Sequence, residues 1–290
     1  MKKIIILIPV YNDWESFNKL LNEINENIKS YSDISFECLI VNDASTIQPS
    51  ELIKPSNFWS IELLNMKENR GHARCNAFGI RYIFQNKKFD NLILMDGDGE
   101  DRPEEIKDLI EKIKEDPSLS VVAKRIKRSE GPFFQSLYQL HKLITFIFTG
   151  KIINFGNYSL LTKSDVKRLH SKASLWSSFS GSVKKNIKSF NEINSIRGLR
   201  YFGPSKMSLI KLIIHSLSII AVFKYQVFLR SSLMLIALAY FNSYLGVLSI
   251  FFQISIVIFN LLIFIVSLRE QEKDLLNSHN NLVGVKKITH

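Results

Sequence analysis

A chain of 290 residues, 46% of them hydrophobic, is long and apolar enough to bury a full core, which excludes an intrinsically disordered protein. Cys38 and Cys75 are its only cysteines and have no CxxC spacing, which excludes a disulfide framework and fits a reducing compartment. The net charge of +11 would serve nucleic acid, anionic lipid or phosphate-bearing substrates, and an uncharged apolar C-terminal stretch turns the reading from nucleic acid to membrane.

Met1-Lys2-Lys3 ahead of an apolar run has the look of a signal peptide, but the run is minimal and no small-residue cleavage site follows it. Ile4 to Val10 instead predicts a strand covered on both faces, ended by Tyr11-Asn12-Asp13. Phe17, Leu20, Leu21, Ile24 and Ile28 then recur at helical spacing, and Phe36 to Val41 predicts a second strand, ended by Asn42-Asp43-Ala44-Ser45. Strand, helix and strand in that order predict a parallel βαβ unit. Ile61 to Met66 is a third strand, followed by Asn69-Arg70-Gly71-His72-Ala73-Arg74 and a helix through Phe84.

The fourth strand, Asn91 to Met95, ends abruptly in Asp96, Asp98, Glu100 and Asp101, with Gly97 and Gly99 between them. Carboxylates so close repel and raise one another's pKa, so the loop calls for a cation. Hard oxygen donors select Mg2+, Mn2+ or Ca2+ rather than Zn2+. An EF-hand fails because its required Gly is Asp101 and its closing Glu is Lys107. A solvated turn capping the helix that begins near Pro103 would account for Asp101, but not for Asp96 and Asp98. After that helix, Leu119 to Ala123 predicts a strand running into Lys124-Arg125. In a doubly wound sheet, ligands bind beyond the carboxyl ends of the strands, which gathers Asp13, Asp43, Asp96, Asp98 and Arg125 at one crevice.

Gly131 to Thr149 is amphipathic, with Leu140, Leu143 and Ile144 on its apolar side. Leu209 to Ala221 is too short to span a bilayer and suits an interfacial helix. Ser231 to Leu268 lacks charge throughout, which predicts a two-helix transmembrane hairpin turning at Asn242 to Gly246. Lys224, Arg230, Arg269 and Lys273 flank it, so positive charge places both ends in the cytoplasm. The expected organisation is a catalytic domain over 1–205, an interfacial helix over 206–225, a membrane hairpin over 226–268 and a polar cytoplasmic tail over 269–290.

Pro9-Val10-Tyr11-Asn12-Asp13, Val41-Asn42-Asp43-Ala44-Ser45, Asn69-Arg70-Gly71-His72-Ala73-Arg74-Cys75-Asn76, Asp96-Gly97-Asp98 and Arg200-Tyr201-Phe202-Gly203-Pro204-Ser205-Lys206 together resemble glycosyltransferase family 2. Within it the chain, to about Leu268, is similar to the dolichol-phosphate and polyprenyl-phosphate sugar transferases. The resemblance implies an α/β fold of GT-A (Rossmann-like) type, a nucleotide-sugar donor, a polyprenyl (undecaprenyl or dolichyl) phosphate acceptor and an inverting transfer that uses Mg2+ or Mn2+. It implies Asp96 and Asp98 as metal ligands on the donor diphosphate, with Glu100 as a third. Pro9, Tyr11, Asn12, Asp13 and Asp43 would line the donor. Asp98, Arg125 and Arg200 would carry catalysis, and Arg125, Arg200, Ser205 and Lys206 would contact donor diphosphate or acceptor phosphate. The chain departs from the family at Asn42 in place of Asp, Asp13 in place of Glu, Asn157 in place of Asp and Ser159 in place of Arg.

An alcohol acceptor needs a general base, whereas a phosphate monoester arrives ionised. Leu175 to Lys185 contains no carboxylate, which favours the lipid phosphate. A hydroxyl of a lipid-linked saccharide is the alternative acceptor, with Glu192 or Asp165 as base, and a non-catalytic nucleotide-sugar-binding scaffold is the other rival. A homo-oligomer stays open.

Overall fold

The computed structural model describes residues 1–49, 52–127, 132–203 and 208–289, with the side chains of 127 and 132–135 left aside. The chain runs β1 (Lys2–Val10), α1 (Trp14–Ile28), β2 (Ile34–Asn42), β3 (Phe58–Met66), α2 (His72–Asn86) and β4 (Asn91–Leu94). A 3-10 turn at Pro103–Glu105 leads into α3 (Ile106–Glu115), β5 (Val121–Lys127), α4 (Pro132–Thr149), β6 (Phe155–Thr162), α5 (Lys163–Leu169), α6 (Ala173–Ser177), α7 (Phe179–Asn186) and β7 (Asn191–Ile196). Then come α8 (Leu209–Ala221), α9 (Lys224–Tyr240), α10 (Asn242–Leu245), α11 (Val247–Ser267), α12 (Glu272–Leu276) and β8 (Leu282–Ile288).

The strands form one sheet in the order β7-β5-β6-β4-β1-β2-β3-β8. β1 lies at its centre and pairs in parallel with β2 and β4. Its uniformly apolar sequence follows from that position, because both faces are covered: Ile5 and Leu7 pack into a cluster with α2, α5, α6 and α7, and Ile4, Ile6 and Ile8 into one with α1 and α3. Helices on both sides force the βα connections to the sheet's ends, and β1, β2 and β4 deliver Asn12, Asp43 and Asp96 to the same end.

Three strands, β6, β7 and β8, were not expected from the sequence, and β7 pairs in parallel with β5. β6 pairs antiparallel with both β4 and β5, so β5 points the same way as β4 and brings Arg125 to the same end of the sheet. β8 pairs antiparallel with β3, so the final segment, expected as a polar tail, is the sheet's edge. Its alternation of Val283 and Val285 with polar or small neighbours is weak because an edge strand has only one face to bury, and both valines are exposed. A chain ending at Asn281 is expected to aggregate on size-exclusion chromatography and melt earlier, because β3 would present an unpaired ladder.

Of the expected pair of transmembrane helices, one arm is a single long helix and the other is at most a bent pair. Among the described residues one helix is long and apolar enough to cross a membrane, and it begins at Val247. α9 has 17 residues and carries Lys224 and Arg230, which leaves it short of the roughly 20 apolar residues a crossing takes. It reaches span-like length only together with α8, across a bend of 86°. Arg230 is also tied to the domain side, donating to the Ile147 carbonyl at the end of α4 at 3.0 Å. β7 precedes this helical excursion and β8 follows it within one sheet, so the chain leaves and returns on the same side.

Candidate active site at the strand ends

Asn12 follows β1 with φ 52°, a left-handed conformation that Asn tolerates better than most residues. Its amide donates to Ser45 Oγ at 2.9 Å, and its side chain binds Thr46 Oγ1 at 3.0 Å and the Ile47 amide at 2.9 Å. Asn12 therefore clamps the loop after β2 onto the loop after β1. Pro9 is a buried strand residue whose carbonyl lies 3.1 Å from where a Cβ on Gly97 would stand. A Cβ at 97 would require the acidic loop and β1 to part by a few tenths of an ångström. Tyr11 leaves its ring 41% exposed at the rim, free to meet a flat ligand.

Asp43 is buried, and its two carboxylate oxygens accept the backbone amides of Arg70 and Gly71, each at 2.8 Å. The β2 end thereby fixes the turn into α2, where Gly71 adopts φ 86°. Asn42 is spent on local structure: its side chain donates to Asn65 Oδ1 at 2.9 Å and accepts the Ser45 amide at 3.0 Å.

The acidic loop is organised from within. Asp101, buried, accepts the Asp96 amide at 2.9 Å, so its role is to hold the loop rather than to cap α3. Asp96 Oδ1 lies 3.0 Å from His72 Nε2 and accepts Asn157 Nδ2 at 3.1 Å. Asp98 accepts the Glu100 amide at 3.1 Å and an Arg200 N–H at 2.9 Å. Burial alone would raise the Asp96 pKa, but His72, Arg197 and Arg125 hold it far below the usual carboxylate range. Burial and then the charge of Asp96 push Asp98 up against the pull of Arg197 and Arg200, and the same two causes push Asp101 well up. Burial opposes protonation of His72, and Asp96, Asp98 and Asp101 together still raise its pKa.

Residues after β7 form a strap over this loop. The Gly198 amide donates to the Glu100 carbonyl at 2.8 Å and the Tyr201 amide to the Asp98 carbonyl at 3.0 Å. Arg197 pairs with Glu100, and Arg200 pairs with both Asp98 and Asp13, joining the β1 and β4 ends through one guanidinium. Tyr201 donates to Glu23 on α1 and packs its ring against Gly99, which has φ 87°. A methyl group at 99 would enter that ring and strain the backbone. Gly99→Ala is expected to displace the strap and cost roughly 10²-fold in turnover, read as initial rate.

The expected site residues therefore divide. Asp13, Asp96, Asp98 and Arg200 come together. Arg125 has its guanidinium against Gly156, within electrostatic reach of Asp96 and Asp101. Glu100 is taken up by Arg197, and among the described residues no three His, Cys, Asp or Glu side chains form a cluster that would hold an ion unaided. Ser205 and Lys206 lie outside the described residues. His72, Arg197 and Asn157 had no assigned contact in the sequence reading; their roles come from β6 standing beside β4 and from the strap folding back, neither of which periodicity reveals. Ser159 is fully buried and donates to the Asn157 carbonyl at 2.9 Å, a place with no room for an Arg.

The sequence profile of glycosyl transferase family 2 matches residues 5–179, which takes in β1 to α6 and the ends of β1, β2, β3, β4 and β5, while β7 and the strap after it lie beyond the match. The chain belongs to glycosyltransferase family 2. It is 27% identical over 222 residues to the undecaprenyl-phosphate 4-deoxy-4-formamido-L-arabinose transferase of Salmonella choleraesuis (strain SC-B67), a match covering 73% of this chain and 65% of that one. The same holds for the enzyme of that name from Salmonella newport (strain SL254). The match thus spans just under two thirds of these relatives' length. Among solved structures, glucosyl-3-phosphoglycerate synthase from Mycobacterium tuberculosis, in complex with Mn2+, uridine diphosphate and phosphoglyceric acid, superposes with a TM-score of 0.51 at 11% identity, covering 78% of each chain. That likeness establishes the GT-A fold, a mixed α/β sheet with helices on both faces.

Proposed function

We infer that this family 2 protein transfers a sugar, with inversion, from a nucleotide diphosphate sugar to a polyprenyl phosphate at a membrane. The observation that carries the reading is the meeting of Asp13, Asp98 and Arg200 at the joined ends of β1 and β4, beside Asp96. The undecaprenyl-phosphate transferases it resembles supply the acceptor class.

A divalent ion fits the residues present. Asp96 and Asp98 end one loop, Asp98 accepting the Glu100 amide through one oxygen and an Arg200 N–H through the other, and hard carboxylate oxygens are the donors such an ion takes. Asp96 and Asp98 would hold Mg2+ or Mn2+, with diphosphate oxygens and water completing the shell, which is how Mg2+ is usually held. The ion supplies charge neutralisation on the departing nucleoside diphosphate. Tyr11 would stack on the base, and Asp43 would fix the turn that borders it. Asp13 and Asp98 hold Arg200 by its fork, where that cation would face the donor diphosphate. Arg125 faces the same crevice from β5.

No base is demanded of a phosphate acceptor, and the two candidate bases for a hydroxyl acceptor are otherwise engaged. Asp165 accepts the Ser120 hydroxyl at 2.6 Å beside Arg168, and Glu192 lies 3.4 Å from Lys124. The exposed apolar residues of α4, α8 and α11 would bring the lipid to the site, and the cations Lys224, Arg230, Arg269 and Lys273 favour the cytoplasmic side for the domain. Membranes containing the chain, given labelled nucleotide sugars, Mg2+ and polyprenyl phosphate, should label the lipid, while polyprenol lacking the phosphate should stay unlabelled. Equal labelling of both would favour the hydroxyl-acceptor reading.

A further inference from the structure

A cavity of about 270 Å3 opens beside the β3–α2 turn. Its lining includes Lys67, Arg70 and Arg74 from that turn, Trp176 from α6, and Asp274 and Ser278 from the segment following α11. None of Asp13, Asp43, Asp96, Asp98 or Arg200 is part of the lining. Arg74 stacks 5.6 Å from the centre of the Trp176 ring and donates to the Arg70 carbonyl at 3.4 Å. Arg70 meets Glu68 only at the exposed rim, at 3.0 Å.

Two buried polar atoms on lining residues, Trp176 Nε1 and Ser278 Oγ, have no hydrogen-bond partner among the described residues. A buried donor is rarely left so; both atoms are closed off from the cavity as it stands, and a small turn of the Trp176 ring on occupancy would supply the missing bond. Burial, Arg269 and Arg70 all act to lower the Arg74 pKa, which marks a place where positive charge is in excess even after Asp274 is counted. Met66, Cys75 and Phe78 make the floor apolar, so the cations there face a medium that strengthens their field.

We propose that this cavity is a second anion site, which takes a phosphate group against Arg74, Lys67 and the Trp176 indole N–H. Arg supplies the forked donors that phosphate oxygens accept, and the indole N–H adds one more. The phosphate has two sources of the same chemistry: a small soluble molecule, or the headgroup of an anionic lipid at the surface where α11 ends, two residues before Arg269. Occupancy would tie the segment after α11 to the turn whose amides Asp43 holds, so it bears on the donor side of the crevice without sharing its residues. The site stands whether or not the chain transfers sugar to a lipid.

The test uses the full chain in phosphatidylcholine nanodiscs with EDTA present, and follows the indole N–H signals of Trp14, Trp59 and Trp176 by NMR, with Trp176→Phe identifying the third. Inorganic pyrophosphate at constant ionic strength should shift the Trp176 signal saturably and leave the other two in place. The apparent affinity should fall about tenfold or more in Arg74→Gln, less in Ser278→Ala, and persist in Asp98→Asn. Replacing part of the phosphatidylcholine by phosphatidylglycerol should weaken pyrophosphate binding if the headgroup is the natural occupant, and leave it unchanged if a soluble phosphate is. No saturable shift, a shift that Arg74→Gln leaves intact in a chain of unchanged melting temperature, or a shift lost in Asp98→Asn would overturn the proposal. The last result would place the pyrophosphate at the acidic loop instead.

Discussion

Asp98→Asn is expected to lower sugar transfer by roughly 10²–10³-fold, the scale of losing one preorganised charge-stabilising group, and to remove the dependence of nucleotide binding on Mg2+ or Mn2+. Asn keeps the shape and can still accept the Glu100 amide, so the loop should persist. What disappears is the second negative charge beside Asp96. Calorimetry reads this separately from rate: the variant should bind nucleotide diphosphate with the same weak affinity in EDTA and in Mg2+, whereas the unaltered chain should bind more tightly with the ion. A scaffold with a vestigial loop would keep its partner in both forms.

Arg200→Ala is expected to produce the other large loss, about 10²-fold in turnover by the same scale. Its guanidinium joins Asp13 and Asp98, and truncation leaves two largely buried carboxylates facing each other without a cation. Without metal the variant should therefore melt at a lower temperature than the unaltered chain, and added Mg2+ should close part of that gap by supplying the missing charge. Arg200→Lys should recover little of the rate, because an ammonium cannot address two carboxylates with a planar fork. Unaltered turnover in both variants would remove Arg200 from the site.

The strand ends were legible because a covered parallel sheet leaves a plain mark. Apolar runs at Ile4–Val10 and Cys38–Val41 give way to Tyr11-Asn12-Asp13 and Asn42-Asp43, and the rule for doubly wound sheets then joins residues distant in sequence. Asp96 and Asp98 stood out for the same electrostatic reason that now shapes their pKa values. What stayed hidden depends on contacts across the chain. β6 inserts beside β4 in reverse, an arrangement that Phe155 to Leu161 cannot announce, and it alone brings Asn157 to Asp96. Arg197 and Glu100 carry charges that look like surface until the strap closes. The break at Asn242 to Gly246 was legible, but the first arm was not: α9 has 17 residues with Lys224 and Arg230 among them, and it reaches a span's length only with α8 across a sharp bend. β8 was missed because a half-exposed edge strand reads like a polar tail.

The central claim is that the acceptor atom is a phosphate oxygen of a polyprenyl phosphate, and the lipid product reports it directly. After incubation with its nucleotide sugar, Mg2+ and polyprenyl phosphate, the extracted glycolipid should show by 31P NMR a single phosphodiester coupled to the anomeric proton of the sugar. Its anomeric configuration should be opposite to that of the donor, and mild acid should release the sugar. A product with its phosphate monoester intact and the sugar on a hydroxyl, or with donor configuration retained, would contradict the account.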